Sequence, residues 1–123
     1  MNRQELEKFI FNTYGVSPEY PWVKYPSFAV FRHENNKKWF AVIMTISKDK
    51  IFPSKEGNIT VVNLKCDTSL VPLLFDGKEI FPAYHMSKEN WITVNLDSDI
   101  ESEKLKFLLS LSFDLTSKKI NLK

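Results

Sequence analysis

Disulfide stapling is excluded at the outset, because Cys66 is the one cysteine in 123 residues. A lone thiol is expected of a protein in a reducing compartment, and a cytoplasmic location is the reading that follows. Glycine is almost as scarce: with three in total, a glycine-rich phosphate loop has no material to be built from. No apolar run approaches the roughly 18–20 residues that span a bilayer, and the opening MNRQELEKF lacks the apolar segment of a secretory signal. Charge of either sign is also modest. The net value of +2 is too small to point to a polyanion by itself. Its distribution says more: residues 20–65 hold eight Lys/Arg against three acids, and the remainder is net acidic.

Hydrophobic and aromatic residues are well supplied. At 43% hydrophobic and 14% aromatic, with ten Phe and three Trp, the chain has the makings of one aromatic-rich core. Leu6, Phe9, Ile10 and Thr13 recur at helical spacing, so residues 2–14 read as a helix. Asn2 and Glu5 are in capping-box positions, and Gly15 stands where a left-handed cap is wanted. SPEYPWVKYP carries three prolines and reads as an extended loop, anchored on the core by Trp22 and its two tyrosines. SFAVFRH and KWFAVIMTI read as strands joined by the turn HENNKK, with Asn35-Asn36 suited to positive φ. Phe28, Val30 and Arg32 share one face of the first strand; Ala29 and Phe31 share the other.

Further on, residues 47–58 read as loop and ITVVNLK as a strand. A short helix follows, TSLVPLLF, with Ser69 as its cap and Pro72 at the third position. FPAYHM is a poor strand because of Pro82; ITVNLD is a clear one. The last helix is expected to start near Ser98 and to bury Leu105, Leu108, Leu109 and Phe113. The order predicts an α+β two-layer sandwich: an antiparallel sheet with the N- and C-terminal helices packed on one face. Residues 1–117 make a single domain, and 118–123 a short basic tail.

Chemistry is thinly represented. His85 reads as a structural histidine bonded to a backbone carbonyl, with a binding contact or a general base as the other readings. Cys66 reads as a buried, inert thiol. His33, His85 and Cys66 are scattered without ligand spacing, so no metal is expected, and no cofactor. No residue set reads as catalytic, and the protein is not expected to be an enzyme. The polar turns offer more. Arg32, Lys37 and Lys38 surround the first hairpin turn, while His85, Ser87, Lys88 and Asn90 occupy a second. A two-stranded ribbon fits the DNA major groove, lysines neutralise phosphates, and Asn and Arg read base edges.

Three separated stretches also carry a resemblance: YPWVKYPSFAVFRHENNKKWFAVIM with its KWFA strand, the NLKCD junction, and FPAYHMSKENWITVNLD with its H-x-x-K-x-x-W segment. Together they resemble the YjbR/MmcQ-like family of small bacterial proteins, over roughly residues 2–116. The resemblance implies a CyaY/frataxin-like fold and a double-wing DNA-binding role in which His85, Lys88 and Trp91 form one wing. Ser87 and Asn90 stand where family members often have Asn and a second His. Iron binding does not come with the fold, because the first helix lacks an acidic ridge.

The leading expectation is a cytoplasmic monomer that binds double-stranded DNA weakly, mainly through phosphates. Arg32, Lys37, Lys38 and Lys65 supply charge; His85, Lys88 and Asn90 lie in the second wing, supported by Trp91. The alternative is a protein- or small-ligand-binding adaptor that uses the aromatic loop around Trp22, Tyr25 and Trp91, which predicts a concave aromatic patch.

Overall fold

The computed structural model describes residues 1–117; the tail at 118–123 lies outside the described residues. Helix α1 spans Arg3–Tyr14 and is closed at both ends as its sequence demands. The Asn2 side chain accepts from the Glu5 amide, Glu5 accepts from the Asn2 amide, and Gly15 caps the far end at φ 70°. Its buried face is Leu6 and Ile10, with Phe9 and Tyr14 partly covered. Thr13 is exposed, and Tyr14 takes the inward place by stacking on Phe113 at 4.2 Å.

Five strands follow: β1 (Ala29–Arg32), β2 (Trp39–Ser47), β3 (Asn58–Lys65), β4 (Ile80–Pro82) and β5 (Trp91–Asn95). They form one antiparallel sheet in the order β1-β2-β3-β5-β4. A 3₁₀ turn at Lys48–Lys50 and a one-turn helix α2, Val71–Leu74, lie between strands; α3, Ser102–Thr116, ends the fold.

Alternation along the strands builds two cores. On one side Phe31, Ile43, Leu64, Ile92 and Val94 pack under Leu6 and Ile10 of α1 and Leu105, Leu108 and Leu109 of α3. On the other side Val30, Val42, Met44, Ile59 and Val61 are covered by loops, through Trp22, Phe28, Ile51, Phe52, Tyr84 and Met86. The β1–β2 register slips between Phe31 and Arg32. The extra residue lets Phe40 and Ala41 both join the helix-side core while Trp39 packs on the other face.

Four local expectations are corrected. The left-handed residue of the first turn is Lys37, at φ 61°, not Asn35 or Asn36. Asn36 is employed otherwise: its Oδ1 accepts from the Lys38 amide and its Nδ2 donates to the Thr116 carbonyl, which locks the turn to α3. α2 is capped by Leu70, with Pro72 in its second position, because Asp67 has already closed the preceding turn by accepting from Ser69. α3 starts after Glu101, not at Ser98, whose hydroxyl is bonded to the Asn95 carbonyl. Tyr20 and Tyr25 are more than half exposed, so of the three rings expected to anchor the proline-rich loop it is Trp22 that packs on the core.

The structural histidine is His33. It is buried at the end of β1 between the rings of Phe40 and Phe113, 5.2 and 4.3 Å away, and its Nε2 is 2.8 Å from the Thr116 hydroxyl. Burial pushes its pKa below the ordinary 6.5, against a weaker opposing effect from a hydrogen bond to the Phe113 backbone. The unfolded chain therefore takes up this proton first as pH falls, and stability declines from about pH 6.5 down to the depressed native value. Urea midpoints measured at pH 7.5 and pH 5 should fall more for the wild type than for His33→Gln. Equal falls would contradict this assignment.

Candidate functional site: an aromatic cleft beside two hairpin turns

The strand register sends both polar turns out of the same end of the sheet. Arg32 pairs with Trp39, Ala41 with Leu64, Lys65 with Trp91, and Pro82 with Ile92. Turns 33–38 and 83–90 therefore flank the end of β3. With about 4.8 Å between neighbouring strands, the two hairpin axes are roughly 14 Å apart.

The residues expected to make a DNA-binding surface fare unequally there. Lys37 and Lys38 are exposed at the first tip, and Lys65 lies between the tips with its Nζ 5.6 Å from the centre of the Trp91 ring. Trp91 is only 8% exposed and acts as a buried support. Arg32 is committed to Glu19: Nε and Nη2 donate to the two carboxylate oxygens at 2.6 and 2.7 Å. That pairing lowers the Glu19 pKa and raises that of Arg32. In the second turn Lys88 Nζ donates to the Ala83 carbonyl at 2.8 Å, and Asn90 keeps a buried Oδ1 with no hydrogen-bond partner among the described residues. Glu34 and Glu89 sit in the same two turns, so each tip carries its own carboxylate. Cys66 is buried as expected; burial and the neighbouring Asp67 push its thiol pKa up, away from reactive values.

A second feature lies on the sheet face opposite the helices. A cleft of about 520 Å³ is walled by Trp22, Tyr25, Phe28, Trp39, Tyr84, His85 and Met86, floored by Val42, Met44 and Asn63, and edged by Lys50. Its walls are ordered by ring contacts. Trp22 meets Phe28 and Trp39 edge-on at 5.9 and 5.5 Å, and Tyr25 stacks on Phe28 at 5.0 Å.

The far wall is set by a polar ring under Tyr84. Asn63 and Thr93, opposite each other on β3 and β5, are fully buried. Asn63 Nδ2 donates to the Tyr84 carbonyl at 2.8 Å, the Thr93 hydroxyl donates to Asn63 Oδ1, and the Tyr84 amide donates to Thr93 Oγ1 at 2.8 Å. Residue 84 is thus clamped through both its amide and its carbonyl, and the chain leaves it with His85 at φ 60°. His85 is exposed on the rim, its ring 4.0 Å from that of Tyr84, and does not fill the expected structural role.

Of the aromatic residues expected to gather around a ligand, Trp22 and Tyr25 line the cleft and Trp91 does not. Lys50, Tyr84 and Met86 come from segments whose sequence gives no sign of convergence. Among the described residues, no group of three or more His, Cys, Asp or Glu side chains is placed to hold a metal ion, and no helix is long and apolar enough to cross a membrane.

Comparison with known proteins gives a consistent picture. The YjbR family model matches residues 12–115. The uncharacterized protein YyaQ of Bacillus subtilis is 39% identical over 116 residues, covering 94% of this chain and 98% of its own. A crystal structure of a Pseudomonas syringae protein superposes with a TM-score of 0.92 at 40% identity, covering 95% of this chain and all of that one. The Deinococcus radiodurans protein DR2400, with a DUF419 domain, shares the fold at a TM-score of 0.72 and 24% identity, covering 96% of this chain and 80% of that one.

Proposed function

The chain belongs to the YjbR family, and from that premise we propose that it is a ligand-binding domain whose site is the aromatic cleft on the helix-free face of the sheet. The carrying observation is the cleft itself. Its volume of about 520 Å³ falls in the range of small-molecule sites, and its lining is mostly aromatic with a few polar groups. The role proposed for it is binding, with Tyr25, Lys50, Asn63, Tyr84 and His85 as the polar groups of the lining. The unpaired Cys66 thiol suits a reducing, cytoplasmic setting, and the chain is read as acting alone.

A second reading, weak binding of duplex DNA, is favoured by one observation: the register that brings both hairpin tips to one end of the sheet. Lys37, Lys38, Lys65 and Lys88 would meet phosphates there, with His85 and Asn90 beside them. It ranks second because Arg32 is neutralised by Glu19 and because Glu34 and Glu89 share the tips.

One sample tests both. Methionine methyl resonances are recorded while ring-containing fragments are added. Met44 and Met86 line the cleft, whereas Met1 packs against the other core and serves as the internal control. Saturable shifts of Met44 and Met86 with Met1 unmoved are expected. If no fragment moves them, or if Met1 moves in step, the cleft reading falls. Addition of duplex DNA at about 50 mM salt should leave the amides of residues 37, 38, 85 and 88 in place. Shifts there, weakening with salt by about 0.9 in log affinity per phosphate contact, would put the second reading first.

A further inference from the structure

We infer that the ligand of the cleft is a planar aromatic ring carrying an acidic group, an inference that rests on the cleft being the binding site. Three independent features of the rim and walls carry it. First, the walls are aromatic: Trp22, Phe28 and Trp39 are held edge to face, and such ring surfaces suit another flat ring better than a branched aliphatic group. Second, the charge around the opening has one sign. No carboxylate is among the lining residues, Lys50 stands on the edge, and among the described residues Lys50 has no carboxylate partner. An anionic substituent on the ring complements that rim, and a cationic one does not.

Third, His85 is held where a side chain costs backbone energy. A non-glycine residue at φ 60° is uncommon, and here it follows directly on the clamp on Tyr84 from Asn63 and Thr93, with Lys88 on the Ala83 carbonyl. Glycine would adopt this geometry freely. The histidine is exposed and makes no hydrogen bond through its ring among the described residues; its ring packs beside that of Tyr84. What the geometry does accomplish is to stand an imidazole on the rim beside Tyr84, over the opening. Observed strain of this kind is grounds for assigning a role to the side chain it positions. Here that role is to close on the bound ring and donate to its acidic group.

The acid is a carboxylate or a phosphate, and the probes separate the two. Indole-3-acetate is compared with the neutral indole-3-ethanol, and adenosine 5′-monophosphate with adenosine, by the Met44 and Met86 methyl shifts. The favoured acid is expected to bind about fivefold more tightly than its neutral partner, the scale of one partly exposed ion pair. Lys50→Glu should abolish or invert that preference. His85→Gly should weaken the acid while thermal stability stays level or rises, which separates loss of the imidazole from loss of the fold. Equal affinities for acid and neutral probe in the wild type would overturn the inference and leave the cleft as a binding site. Absence of methyl shifts with all four probes would overturn the cleft reading and this inference with it.

Discussion

Replacing Asn63 with alanine is expected to destabilise the protein by about 2–4 kcal/mol, through two hydrogen-bonding groups that lose it as a partner. The side chain is fully buried between β3 and β5, and both of its polar ends are used. Alanine leaves the Tyr84 carbonyl without its donor and the hydroxyl of the fully buried Thr93 without its acceptor. Each such loss costs about 1–3 kcal/mol. Thr93→Val keeps the shape of the side chain but leaves Asn63 Oδ1 without its donor and the Tyr84 amide without its acceptor, so it should also destabilise. The double variant should then be less destabilised than the sum of the singles, because the second change removes a group the first had orphaned. Urea denaturation of the four proteins measures this directly. Additive effects would mean that the ring around Tyr84 is not a unit, and that the left-handed backbone at His85 is supported by something else.

Phe40→Ala is expected to cost about 3–5 kcal/mol, the range for deleting a fully buried phenyl ring, and to lower the melting temperature by roughly 10–25 °C. Phe40 is fully buried, and its ring is 5.9 Å from Tyr14 of α1, 6.5 Å from Phe31, 5.2 Å from His33 and 5.0 Å from Phe113 of α3. It therefore joins both helices to the sheet at the point where the bulge turns it inward. Its carbonyl also accepts from the Ser112 hydroxyl, which in turn accepts from the Lys65 amide. Phe40→Leu keeps most of the volume and should cost clearly less. Thermal melts of the two variants decide the matter, and equal losses would show that the ring contacts carry the effect and that volume alone contributes little.

The parts of this fold that could be read from sequence are those set by neighbours in the chain. α1 is specified by Asn2, Glu5 and Gly15 within a single segment, and its ends fall where those residues dictate. The alternation of Phe28, Val30 and Arg32 against Ala29 and Phe31 follows from strand geometry alone, and the two cores divide accordingly. Local signals mislead where another group competes for the same side chain, near in the chain or far from it. Ser98 looks like a helix cap, but the Asn95 carbonyl takes its hydroxyl. Asn36 looks like a turn residue with positive φ, but Thr116 at the end of α3 takes its amide and the strain passes to Lys37.

The same reason hid the cleft and part of the polar surface. Arg32 reads as a free cation until the β-bridge between Glu19 and Val30 brings a carboxylate alongside it. His33 gives no local sign that it will be buried, because Phe113 and Thr116, which enclose it, lie some eighty residues away. The cleft draws on residues 22–28, 39–44, 50, 63 and 84–86, and no spacing rule connects them. What the sequence did offer was the aromatic, proline-stiffened loop around Trp22. A segment of that kind, unable to form helix or strand, has to lay its rings on something, and here the something is the open face of the sheet.

The measurement that bears most directly on the cleft as the functional site is a set of intermolecular nuclear Overhauser contacts from bound indole-3-acetate. Its ring protons should give contacts to the Met44 methyl and to the indole protons of Trp22 and Trp39. Contacts instead to Phe11 or Phe107, which are exposed on the helices, would place the ligand on the opposite layer and contradict the account.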